Sequence, residues 1–173
     1  MLKLNGTISN NYDLYDTVAL VITAPTVPDN WVVHQTAPGA RYDYYATDGK
    51  EVTVRAEIKA RNATYLTMEI PYHKVKAMQE IRNKDIEKGK TDIQYLFQMP
   101  IIPNNELWSI SLDDVLQCPV EECQRPEKTV DTTHQDNVTR YQYQVPENMF
   151  TKISCDTSKY NYYIEKGKEK YGL

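Results

Sequence analysis

A chain of 173 residues can form one domain, 1–173, with a sizeable core. Its 20 basic and 24 acidic residues leave a formal charge of −4, which argues against nucleic acid and anionic membrane as partners. The most apolar run, residues 18–24, is too short to cross a bilayer, residues 1–6 lack the apolar segment of an export signal, and three cysteines in such a chain are expected to stay reduced.

In chain order, residues 2–8 alternate as a short strand. Residues 15–24 contain an apolar run on both sides, which suits a strand buried on both faces. Residues 31–34 form a third strand candidate. Residues 41–46 and 51–61 then flank Asp48-Gly49, a dipeptide suited to a tight hairpin turn.

If those two residues are the whole loop, Tyr45 lies opposite Val52, Tyr44 opposite Thr53 and Tyr42 opposite Arg55. Tyr45 then joins the apolar face, and Tyr42 and Tyr44 the charged one. A further strand at 65–70 would set Ile58 against Leu66, Ala56 against Met68 and Val54 against Ile70, with Lys59 meeting Tyr65 and Arg55 meeting Glu69. The spacing thus predicts a meander with one buried and one charged, aromatic face.

Pro71 can open a helix, and residues 71–88 carry the apolar stripe Val75, Met78, Ile81 before Gly89. Residues 91–99 alternate as a strand; 108–112 read either as a strand or, through Ser111 and Asp114, as the capped start of a short helix. Residues 118–136 are polar and predicted to be a long exposed loop. Short strands at 138–145, 149–155 and 160–164 precede a polar tail at 165–173. The sum is an α+β domain, mainly antiparallel β and sandwich- or barrel-like, with one principal helix at about 71–88 packed on the sheet.

Motifs for chemistry are sparse. Gly89-Lys90-Thr91 lacks the earlier glycine of a phosphate-binding loop, Lys84 standing in its place. Cys118, Cys123, His134 and Cys155 offer zinc ligand types at loose spacing. Cys155 with His34 or His73 would be a nucleophile and base without a motif around them. Asp113-Asp114 and Glu121-Glu122 read as solvated surface, and the three Asn-x-Thr sequons need an export route. No catalytic residue, metal or cofactor is assigned.

Tyrosine is the strongest compositional signal: 14 against 2 phenylalanines and 2 tryptophans. Its ring packs while its hydroxyl stays available, which favours interfaces. Tyr42, Tyr44, Arg55, Lys59, Tyr65 and Glu69 are expected to share one outer patch, with Tyr160, Tyr162 and Tyr163 as a second cluster. The resulting expectation is a non-enzymatic assembly protein of a virion, such as a tailed-phage head, neck, tail or baseplate component, contacting other protein subunits as a homo-oligomer or in a larger hetero-assembly. The alternative is a cytoplasmic ligand-binding module or small enzyme with its site near the cysteine and carboxylate loop.

Overall fold

The computed structural model describes residues 2–4, 8–37, 40–126 and 137–173. In chain order these form β1 (Leu2–Lys3), α1 (Asn11–Thr23), β2 (Val32–Gln35), β3 (Tyr44–Thr47), β4 (Val52–Ile58), β5 (Thr67–Pro71), α2 (Tyr72–Glu87), β6 (Gln94–Ile101), β7 (Glu106–Ser111), α3 (Leu112–Val115), β8 (Val120–Pro126), β9 (Asn137–Pro146), β10 (Thr151–Ser154) and α4 (Tyr160–Tyr171). A seven-stranded sheet runs β1-β2-β3-β4-β6-β7-β10, and a separate three-stranded sheet runs β5-β9-β8.

The fold is α+β, but it is neither purely antiparallel nor a barrel. β1 pairs parallel with β2, and β4 pairs parallel with β6. The parallel β4–β6 pair needs a crossover, and α2 supplies it.

Two segments expected as strands are helices, and in the first the apolar side is wider than a single stripe. Residues 15–23 belong to α1, and Ala24 opens the 3-10 turn that follows it, so no strand forms there. Asn10 caps this helix by accepting from the Tyr12 and Asp13 amides, and the Asp13 carboxylate accepts from the Ser9 amide and hydroxyl. Its apolar residues are covered twice. Leu14, Val18, Ala19 and Ile22 meet Ile58, Tyr160 and Ile164, while Leu20 packs among Val33, Tyr44, Ala46, Val54 and Ala56 of the sheet. The predicted strand at 160–164 and tail at 165–173 are likewise one helix, α4. It lies close on α1, since a Cβ on Gly167 would stand 2.3 Å from Leu14 Cδ1.

The hairpin around Gly49 is present, but its register is not the expected one. Tyr44 pairs with Ala56, Tyr45 with Arg55 and Ala46 with Val54, and a bulge between Ala46 and Thr47 sets Thr47 against Val52. Moving the register by an odd number of residues reverses every side chain. Tyr44 therefore points inward and is 1% exposed, its hydroxyl donating to Gln98.

The meander also ends early, because β5 leaves for the second sheet and pairs with β9. Leu66, expected opposite Ile58, is 87% exposed. Part of the predicted loop 118–136 is strand β8, paired with β9; residues 127–136, with His134, lie outside the described residues. At 108–112 both readings hold in succession, since β7 ends at Ser111, whose hydroxyl caps α3 through the Asp114 amide.

The helix at 71–88 is α2, with Pro71 as its N-cap and Val75 and Met78 buried. Lys84 in the last turn suits the helix dipole, but two other end charges oppose it, Lys74 in the positive first turn and Asp85 in the negative last turn. β4 answers both. Lys74 pairs with Glu57 at 2.5 Å, and Asp85 takes a two-pronged bond from Arg55 at 2.7 and 3.0 Å and a third from Tyr95 at 3.0 Å.

Those bonds, with the Arg55 guanidinium itself, hold the Asp85 carboxyl below its ordinary range despite the desolvation that opposes it. Asp85→Ala is expected to destabilise the fold by about 3 kcal/mol, the scale of breaking a largely buried pair and stranding its arginine. Urea denaturation checks this; a loss under ~1 kcal/mol, typical of a surface pair, would contradict the clamp.

Candidate functional site

Asp43 lies one step beyond the Tyr44–Ala56 pair, so the extended register sets it across from Glu57. Backbone bonds fix it there: its amide donates to Ala56 O at 3.0 Å and its carbonyl accepts from the Thr36 amide at 2.9 Å. Asp43 Oδ2 accepts from the Ile58 amide at 2.7 Å. Tyr42, its chain neighbour, is held by Arg55, which bonds the phenol oxygen and stacks 5.3 Å from the ring centre.

Asp16 arrives from α1. That helix is tied to β2 by Gln35 Nε2 donating to Thr17 Oγ1 at 2.8 Å. Lys59 follows Glu57 by two residues along the same strand face, with its amide continuing the ladder to Gln98 O at 2.9 Å.

Three carboxylates are thereby gathered in one place, against their mutual repulsion. Asp43 and Glu57 are half-buried while Asp16 stands on the exposed side of α1, and like charge adds to desolvation at Asp16 and Glu57 but not at Asp43. The Asp16 carboxyl is pushed up to about 6 by desolvation and then by Asp43. Glu57 is raised by burial and next by Asp43, and Asp43 is raised by burial, with the Ile58 amide pulling the other way. Burial alone would depress the Lys74 ammonium, but Glu57, Asp43 and Asp16 together outweigh it and raise its pKa.

Glu57 Oε1 is taken by Lys74, and Oε2, which as an ionised oxygen would have no donor among the described residues, lies where the Asp43 and Glu57 carboxyls can share a proton. Two carboxyls held this close in a partly buried place share a proton or accept a cation between them. Hard carboxylate oxygens are the donor type for Mg2+ or Mn2+. As the side chains stand, no described group of three or more His, Cys, Asp or Glu residues is drawn in tightly enough to hold a metal.

The cluster opens into a cleft of about 220 Å³ between the two sheets, lined by Glu57, Lys59, Arg61, His73, Lys74 and, from β9, Arg140. Burial and the nearby Lys74, Arg140 and Lys59 charges lower the His73 pKa. The cleft is cationic although the chain is acidic overall.

The residues expected to form a tyrosine patch divide differently. Tyr44 and Tyr160, 7% exposed, are interior; Tyr42 is half-buried, and Tyr163 packs on the helix pair. Tyr65 and Tyr162 are exposed. Arg55 is committed to Asp85, whereas Lys59 and Glu69 line the cleft. The zinc candidates do not form a cluster among the described residues: Cys118 contacts Asp114 O and Met149, and Cys155 donates to Ile22 O. Burial raises both thiols, which favours inert side chains.

Sequence reasoning missed Asp16, Asp43, Glu57 and Lys74. The available signal was Glu57-Ile58-Lys59, two opposite charges on one strand face, with an aspartate across the hairpin. Reading it required the correct register.

No family model and no curated protein matches the chain. Among solved structures it is similar to Archaeoglobus fulgidus Hjc, a Holliday junction resolvase from an archaeal hyperthermophile, with 11% identity, a TM-score of 0.46, and coverage of 79% of this chain and 88% of that one. This likeness is to a resolvase and not to a structural protein of a virus particle. The expectations of a non-enzymatic virion component and of nucleic acid as an unlikely partner are corrected on the chain's own geometry, Tyr44 being turned inward and the cleft being lined by Lys59, Arg61, Lys74 and Arg140. The physical errors behind them were the inverted tyrosine face and a whole-chain charge that averaged away a local cationic cleft. No described helix is long and apolar enough to cross a membrane.

Proposed function

We propose that this cleft is a divalent-cation-assisted phosphodiesterase site acting on polynucleotides. The observation that carries it is the gathering of Asp16, Asp43 and Glu57, at a cost in repulsion, beside Lys59 and Lys74. Perturbed carboxylates of this kind in a cleft are the signature of a reactive or ion-binding centre. The reading rests on the site and takes nothing from the resolvase likeness.

Asp43, Glu57 and Asp16 would hold the cation, which when bound polarises a phosphoryl oxygen and acidifies water. Lys59 offers its ammonium to a nonbridging oxygen, where charge develops. The water oxygen forms a new bond to phosphorus, the bridging ester bond breaks, and the departing oxygen takes up a proton. Arg61, bridged to Ile101 beyond the end of β4 and donating to Glu69 O at 3.1 Å, and Arg140 on β9 suit phosphates flanking the reacting one, which is why a polymer is favoured over a small phosphodiester.

End-labelled single-stranded, duplex and branched DNA, each with Mg2+, with Mn2+ and with chelator, tests this. Cation-dependent cleavage that Glu57→Gln abolishes is expected; intact DNA under every condition, or cleavage untouched by Glu57→Gln, overturns it. Arg140→Ala is expected to weaken DNA binding on all sequences and to reduce the slope of log affinity against log salt by about one. An unchanged slope would remove Arg140 from the phosphate path.

A further inference from the structure

We infer that Lys74 is an internal counter-ion that occupies the carboxylate cluster in the metal-free protein and must leave it when a divalent cation binds. The inference rests on the cation-site reading above and adds a residue role that reading does not require. Three observations carry it.

The first is contact. Lys74 Nζ stands 2.5 Å from Glu57 Oε1, and its charge is felt by Asp43 and Asp16 as well. The second is placement. Lys74 lies in the first turn of α2, where the helix dipole disfavours a cation and where no acidic residue occurs, so helix stability does not explain it. The third is the state of the ligands. Oε1 of Glu57 is engaged by the ammonium, the Asp43 and Glu57 carboxyls lie against each other, and no three described carboxylates close around a metal position while the ammonium is there. An ammonium on a flexible four-carbon stem can neutralise such a cluster and still swing away, which a guanidinium fixed by several bonds does less readily. The cation would then compete with a resident charge, and the site would contract as it enters.

Mn2+ titration and thermal unfolding of wild type, Lys74→Met and Lys74→Arg test this. Lys74→Met is expected to bind Mn2+ roughly tenfold tighter or more, the scale on which a neighbouring charge shifts proton affinity. It should also melt below wild type without metal and recover that difference at saturating Mn2+. Should Lys74→Met be unfolded without metal, Mn2+ is expected to fold it, and failure to do so overturns the inference. Lys74→Arg keeps the charge and is expected to bind Mn2+ no tighter than wild type. Wild-type binding that Lys74→Met leaves unchanged or weakens overturns the counter-ion role while sparing the cation site. Absence of Mn2+ binding in wild type and in both variants overturns both.

Discussion

Asp43→Asn is expected to stabilise the metal-free protein at pH 8 while removing its cation-dependent hydrolysis. The asparagine oxygen can still accept from the Ile58 amide, so the local bond survives. What disappears is a carboxylate raised by burial and facing Glu57, and relief of that repulsion is worth about 1 kcal/mol or more. Activity should fall on the order of 10³-fold, because the several kcal/mol that a bound cation supplies to the transition state are lost with its ligand. Opposite signs in stability and function are characteristic of active-site residues. Chemical denaturation beside a cleavage assay reads both; a variant that loses stability and activity together would make Asp43 a structural residue.

The second large effect is a pH dependence that metal reverses. Asp16, Asp43 and Glu57 are all raised in the fold, so the folded state binds more protons than the unfolded chain. Their contribution is complete below the ordinary carboxylate range. It is lost as pH climbs through about 6 for Asp16 and through the raised values of the other two. Asp85 acts in the opposite sense, its lowered carboxyl adding stability that is lost only as pH falls toward and below its folded value.

The metal-free melting temperature is therefore expected to decline between pH 5 and pH 8. Saturating Mg2+ should raise it more at pH 8 than at pH 5, since the cation needs ionised ligands. A melting temperature that rises with pH in the absence of metal would contradict a strained cluster. An equal metal effect at both values would place the cation elsewhere.

The legible parts of this fold were those decided locally. Pro71, the stripe Val75 and Met78, and the stop at Gly89 located α2 because capping and periodicity act within a few residues. Ser111 capped α3 as its motif implied. What failed depended on partners distant in sequence. The run 18–22 could not reveal that a sheet and α4 would cover α1 from two sides. Ile58 could not reveal that its neighbour is β6 across a crossover and not β5.

The bulge after Ala46 had the widest consequence. It exchanged Tyr44 for Tyr45 on the inner face and brought Asp43 level with Glu57. The charged residues 55, 57 and 59 alternate as a solvated strand face would, and nothing in that alternation marks Arg55 as a clamp or Glu57 as half-buried. Carboxylates at 16, 43 and 57 form a site only once the register and the helix are known.

Calorimetric titration of Mn2+ into the purified protein at pH 8 probes the carboxylate cluster most directly. Saturable binding is expected, weakened at least ~10-fold by Asp43→Asn and by Glu57→Gln, the scale seen when the support of a metal ligand is removed. Heat that is absent in wild type, or binding that neither substitution alters, would contradict a cation site formed by Asp16, Asp43 and Glu57.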